Sequence, residues 1–316
     1  MKSFYFVIPF IILLVRCKQR NSGELLAKEK SQSSSKLSPS PLNSEFKNYW
    51  FDGNAELTSF ELEQARYGEI RKGRAVIVFV SEDFSKSRYV KLDYPEKQAD
   101  DRVKVLKFNL NKQFVTGIYD YALMQSVFTP LDQVNYPNSL RVTTSNIEWC
   151  GQFLTRVELN NQNYDIHYNS YFDGEENKKI RLKKNILEDE IWNQIRINPN
   201  RLPQGIFEII PGILTQELVH HDLKVEQASG TVIQKGNTTV YELIYSSIPR
   251  KLVIEFESVF PYKIISWEET FETVKGWGME SKVMTTKAKR ITDTKLDYWE
   301  RKYLKDEVLR EKELGL

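Results

Sequence analysis

The chain has 316 residues, 41% hydrophobic and 12% aromatic, enough to bury a sizeable core in one large or two modest domains. Its 45 basic and 43 acidic residues leave a formal charge of +2, so no global field draws it to nucleic acid or an anionic surface. Two cysteines exclude a disulfide-dense scaffold, and three histidines leave little material for a metal centre.

Lys2, an apolar run from Phe4 to Val15, and then Arg16-Cys17 open the chain. The run is about 12 residues long, matching a secretory signal core and short of the roughly 20 that a membrane-spanning helix needs. "LVRC" (14–17) resembles a bacterial lipoprotein signal, in which the cysteine thiol takes a diacylglycerol and, with it, palmitate-type acyl chains. Arg16 departs from the small residue usual before that cysteine. Residues 1–17 are therefore expected to be a signal peptide with Cys17 as the lipidation site; the alternative is an unprocessed signal anchor. Either way the body is exported and membrane-tethered, facing the periplasm or exterior. Without residues 1–17 the chain keeps 43 basic and 43 acidic residues. With Cys17 acylated, Cys150 is the one remaining thiol and the fold must rest on its core.

Residues 18–45 are rich in Ser, Lys, Pro and Gln and carry too little apolar surface to order themselves. They read as a flexible tether that holds the body roughly 30 Å from the bilayer on average. Aromatic residues begin at "FKNYWFDG" (46–53), where the β-rich body of residues 46–292 is expected to start.

"RAVIVFV" (74–80) is short and continuously apolar, as in a strand buried on both faces. In "RVKVLKFNLN" (102–111) the apolar parity switches between Val105 and Leu106, which predicts a β-bulge there. Further strands are expected near 114–128, 139–149, 152–160 and 163–172. "KKIRLKK" (178–184) reads as a solvated face. A helix over 185–196 follows, with Asn185 as N-cap, Glu188 at capping-box spacing, and Leu187, Ile191 and Ile195 as one apolar stripe to pack on the sheet. It joins two sub-lobes, 46–180 and 205–292. The second is a meander with turns at Gly236-Asn237, Pro249-Arg250, Phe260-Pro261 and Gly276–Gly278. Leu252, Ile254 and Phe256 share its dry face. The charged segment 293–316 reads as a C-terminal surface helix frayed beyond about residue 308. The fold class is mainly β: a curved antiparallel sheet or half-barrel meander with one packed helix.

Signals for chemistry are weak. Cys150 in "IEWCGQF" needs a histidine to become a nucleophile, with His167, His220 and His221 available; the plainer reading is a small buried strand residue between Trp149 and Phe153. His220 and His221 are adjacent, so on a strand they face opposite ways and do not share a metal. Glu188, Asp189 and Glu190 crowd the first turn of the predicted helix, where the dipole favours negative charge. Glu268 and Glu269 fall on opposite faces of their strand, which defeats a glycosidase pair. No nucleotide-binding or nucleophile-elbow motif is present. No catalytic, cofactor or metal residue is assigned. The aromatic residues serve a core or line an apolar cavity.

"YWFDGNAELTSFELEQARYGEIRKG" (49–73), "IEWCGQ" (147–152), "LEDEIWNQIRINPNRLP" (187–203) and "FPYKIISWEETF" (260–271) resemble a family of exported bacterial lipoproteins without assigned function, some labelled septum formation inhibitor of the Maf type. The Maf phosphate-binding motif, SxSPRR, is absent: "SQSSSKLSPSP" (31–41) lacks its arginines. The resemblance implies a membrane lipoprotein. Together with the residues it favours a non-enzymatic binder of an apolar or lipidic ligand, or of an envelope protein, with no nucleic acid and no cofactor. An envelope hydrolase using Cys150 or carboxylates, and a purely structural assembly factor, are the alternatives.

Overall fold

The computed structural model describes residues 42–173, 177–273 and 281–316. The signal peptide, Cys17, the tether up to residue 41, and the Gly276–Gly278 turn lie outside them. The body starts slightly earlier than the aromatic content suggests, because the Asn43 side chain caps α1 (Ser44–Trp50) by accepting from the Phe46 N–H at 2.7 Å.

Eight strands follow in hairpin succession: β1 (Ala55–Arg66), β2 (Glu69–Ser85), β3 (Arg102–Thr116), β4 (Tyr119–Pro130), β5 (Arg141–Glu148), β6 (Gly151–Asn160), β7 (Asn163–Ser170) and β8 (Lys179–Lys183). The chain then forms β9 (Ile186–Leu187), a 3-10 turn at Glu188–Glu190, and α2 (Ile191–Ile197). After β10 (Gly205–Ile210) and α3 (Ile213–Leu218) come β11 (Glu226–Lys235), β12 (Thr238–Tyr245), β13 (Lys251–Glu257), β14 (Ile264–Thr273) and β15 (Lys282–Leu296), with α4 (Val308–Leu314) last. All fifteen strands belong to one sheet, ordered β8 through β1, then β15 back through β9. The two halves join where β1 pairs with β15, and every pairing is antiparallel except β9 with β10.

That order curls the sheet. β8 and β9 lie at its opposite edges, yet only Lys184 and Asn185 separate them in sequence. Three Cα–Cα steps span at most about 11 Å, so the two edges approach closely at that point. α2 fills the curl. Its Trp192 stacks on Phe108 of β3 at 5.3 Å and meets Trp267 of β14 edge-on at 5.5 Å. Asn193 donates to the carbonyls of Leu106 and Val127 at 3.1 and 3.3 Å. The same core cluster runs from Phe60 and Phe108 in the first half to Tyr241 and Trp267 in the second.

Four expectations need correction. The helix over 185–196 is shorter and shifted to Ile191–Ile197; Ile186 and Leu187 pair as a strand with β10 instead. Leu187, Ile191 and Ile195 are buried as expected, but so are Trp192, Asn193 and Arg196, because sheet surrounds the helix on both sides. No bulge occurs near 105–106: β3 keeps register with β2 and β4 throughout. Both parities are apolar there because Leu106 and Phe108 face the main core, while Val103 and Val105 face a second cluster with Phe84 and Leu140. The 114–128 segment is a hairpin, broken at Gly117, whose φ of +63° suits glycine. Finally, residues 293–296 continue β15, 3-10 turns follow at Tyr298–Glu300 and Leu304–Asp306, and α-helix begins only at Val308, where fraying was expected. The charged C-terminal pattern is shared between the end of the central strand β15 and α4.

"KKIRLKK" forms the edge strand β8, with alternate residues exposed. Its lysines protect an edge that otherwise offers unpaired backbone to another chain.

Candidate functional site

The meander places the turns β1–β2, β3–β4 and β5–β6 at one end of the sheet, the far end from α1. β2 alone spans about 55 Å between the two ends. At this far rim lies a cavity of about 230 Å³. One side is built from β6 and β7, where Phe153 pairs with Ser170 and Thr155 with Tyr168. The other side is the C-terminal end of α3 and the residues after it: Gln216, Glu217, His220, His221 and Asp222.

α3 is held firmly. The Asp189 carboxylate accepts from the Ile213 N–H, 3.2 and 3.3 Å from its two oxygens. Leu214 and Leu218 pack with Phe114, Tyr121, Leu123 and Phe153. The Arg66 guanidinium donates to the Leu218 carbonyl, lies 4.3 Å from the Tyr67 ring centre, and reaches the Tyr121 hydroxyl at 3.3 Å. A cation at this end of a helix also complements the exposed carbonyls. The helix closes with the His220 N–H bonded to the Glu217 carbonyl at 3.2 Å and the His221 N–H to the Gln216 carbonyl at 3.0 Å. This pairing puts His220 in the left-handed region, φ +54°, a place where glycine is cheapest. A side chain there costs roughly 1–2 kcal/mol.

Around the cavity, Thr144 donates to the Glu217 carboxylate at 2.8 Å. Lys178 and Asp222 pair at 2.6 Å on the outer lip, and that bond and charge hold the Asp222 carboxyl below its usual range. Next to the cavity, Tyr171 and Phe172 lie against Gly151: a Cβ on Gly151 would sit 2.8 Å from the Tyr171 ring and 3.1 Å from that of Phe172. Tyr171 and Trp149 are 75% and 69% exposed and line a separate depression around Cys150.

The sequence-predicted candidates divide as follows. His220 and His221 do not lie on a strand; the turn after α3 aims both at one cavity. His167 pairs in register with Arg156, and alternation along β7 puts it on the face opposite Tyr168. Cys150 is neither buried nor on a strand: it is exposed in the β5–β6 turn. A turn was hidden by Trp149, which looks like a core residue but points to solvent. The Cys150 backbone N–H bonds the Glu148 carboxylate at 2.8 Å, and the Glu148 side chain pushes the thiol pKa up. Its local depression is lined by Ile147, Glu148, Trp149, Gly151, Gln152 and Tyr171, with no histidine among them. A raised thiol beside a carboxylate is a poor nucleophile. Native protein is expected to be modified completely by a thiol reagent, but more slowly at pH 7 than a free cysteine; Glu148→Gln should speed the reaction, and an unreactive thiol would contradict this placement.

The acidic trio lies in the 3-10 turn before α2 and is buried, so the dipole account gives way to specific bonds. Glu188 pairs with Arg250 and accepts from the Tyr245 hydroxyl at 2.8 Å. Asp189 caps α3 and accepts from Gln125. Glu190 accepts from the Ser139 N–H at 2.8 Å and the Leu187 N–H at 3.4 Å, which moves the capping interaction two residues on from Asn185. Glu269 is ion-paired with Lys112 and lies 3.4 Å from Arg250, while Glu268 faces outward to Lys287 at 3.2 Å. None of the trio lines the rim cavity. Among the described residues no group of three His, Cys, Asp or Glu side chains is arranged to hold a metal, and no helix is long and apolar enough to cross a membrane.

The class so defined is a curled, open fifteen-stranded sheet around a central helix, with a small mixed cavity at one rim. No family of known proteins, no curated protein and no solved structure matches the chain, so geometry and chemistry carry the functional reading.

Proposed function

We propose that the chain is an exported, membrane-tethered lipoprotein whose body works by binding rather than by catalysis, through the rim cavity beside His220. The signal-like residues 1–17 with Cys17 and the lipoprotein resemblance support the tether. The observation that carries the binding reading is His220: among the described residues six non-glycine residues have positive φ, and His220 is the one of them that lines this cavity. Strained backbone of this kind is held where the side chain has a task. A lipid held against the concave sheet has lost its support, since α2 and the aromatic core occupy that space. The ligand is then a small molecule, or a side chain of an envelope partner.

Stability and binding should separate. His220→Gly is expected to leave folding stability unchanged or raise it by about 1 kcal/mol, while abolishing ligand retention. Native mass spectrometry of the full chain, after incubation with a small-molecule extract of the cell envelope, reads the second property. An adduct kept by wild type and lost by His220→Gly supports the proposal. An adduct indifferent to the substitution, or of lipid mass, overturns it. Labelled fatty acid should enter wild type and not Cys17→Ala; equal labelling of both removes the tether.

A further inference from the structure

We infer that the rim cavity takes a single neutral, multiply hydroxylated ring, that is, one sugar unit; this rests on the binding reading above. The inference comes from matching the walls to ligand chemistry. Phe153 and Tyr168 give an aromatic side against which the apolar face of a ring can lie. Facing them, Glu217 supplies an acceptor, and His220 and His221 supply both donor and acceptor nitrogens. Asn169 and Ser170 add an amide and a hydroxyl at the edge. Such alternating donors and acceptors suit hydroxyl groups, each of which gives and receives.

Charged ligands fit less well. Lys178 is already paired with Asp222, and among the described lining residues there is no arginine to grip a phosphate or carboxylate in bidentate fashion. Two carboxylates, Glu217 and Asp222, stand on the α3 side of the cavity and disfavour an anion there. A long acyl chain is excluded by size, since the cavity holds about 230 Å³.

The three histidines of the chain make the test direct. His220 and His221 line the cavity, and His167 lies on the outer face of the sheet, so their imidazole proton signals in the full-length protein report occupancy with an internal control. The panel is glucose, galactose, mannose, N-acetylglucosamine and an oligosaccharide of each, with glycine and inorganic phosphate as the competing chemistries. Saturable shifts of the His220 and His221 signals by at least one sugar in the millimolar range or below, with His167 unmoved, are the expected result. Tyr168→Ala should weaken that binding about ten-fold. An oligosaccharide binding about ten-fold tighter than its monomer assigns the source to glycan ends; equal affinities assign it to free sugar. If glycine or phosphate moves the pair and no sugar does, the sugar inference falls while the binding reading stands. If nothing on the panel moves it and the native mass spectra show a bare protein, both fall.

Discussion

Replacing Arg196 by methionine is expected to cost the protein about 3–5 kcal/mol, because it strands a fully buried carboxylate. Arg196 on α2 meets Glu56 of β1 through two parallel bonds of 2.5 and 2.6 Å, and its third donor reaches the Pro261 carbonyl at 2.8 Å. Neither side chain has any exposure. The guanidinium also lies 4.6 Å from the Phe79 ring centre and 5.2 Å from that of Trp50. Glu56 keeps only the Tyr49 hydroxyl when the arginine is lost; burial, and then the Glu56 charge, push that phenol's pKa up, so it remains a donor. The double replacement Glu56→Leu with Arg196→Met should recover most of the loss, since two apolar groups need no compensation. Urea denaturation of the three variants measures both quantities. A loss below about 1 kcal/mol in Arg196→Met would mean that water or a neighbour reaches Glu56, and would refute the sealed interior.

Stability is also expected to fall as pH rises from about 5 to 8, opposite to the trend of most paired carboxylates. Burial, helped by the Glu188 charge, raises Asp189 to about 8, and burial raises Glu190 to about 7. In the unfolded chain both titrate near 4. Between those limits the folded protein binds more protons than the unfolded one, so each step up in pH favours unfolding. The loss ends above about pH 8, where both states have released the protons. Glu269 behaves in the reverse sense. Burial opposes its ionisation, but the Lys112 and Arg250 charges prevail and hold it at about 2. Its contribution is complete above its unfolded value and is lost as pH falls towards 2. The two limbs place the maximum in mildly acidic solution. Thermal unfolding between pH 3 and 9 is the measurement, and Asp189→Asn should flatten the limb above pH 5, on the order of a few kcal/mol. A melting temperature that climbs steadily from pH 5 to 8 would show that water hydrates these carboxylates.

The ionic layer explains why the interior tolerates so much charge. Arg250 bridges Glu188 and Glu269, Lys112 adds a second cation to Glu269, and the Trp267 indole N–H reaches the same carboxylate at 3.3 Å. These groups tie the 3-10 turn inside the curl to the β12–β13 connection, β14 and β3. Gly212 is part of the arrangement: a Cβ there would lie 2.6 Å from the Glu188 carboxylate. The acidic run therefore serves the internal architecture, and the rim cavity remains the place where the molecule meets small ligands.

Much of the sheet was legible because alternation is a local property. Leu252, Ile254 and Phe256 predict the dry face of β13 with no knowledge of partners, and Gly236-Asn237 predicts the hairpin between β11 and β12. The sequence by itself settled the β-rich class and the curved antiparallel meander, but not the bounds of every strand. The rim site was not legible. "LVHHD" reads as a strand end, and with histidine in the position where glycine usually marks a helix terminus, α3 gave no stop signal. Cys150 misled for a related reason, since Trp149 beside it looked like core. Only the tertiary structure decided that β8 and β9, neighbours in sequence, form opposite sheet edges, and that the helix between the halves plugs the curl. It also decided that three consecutive carboxylates are buried. Burial and charge pairing depend on contacts between Glu56 and Arg196, or Lys112 and Glu269, more than a hundred residues apart. A local pattern carries no information about which distant charge will meet a buried one, and that meeting sets the stability of the interior.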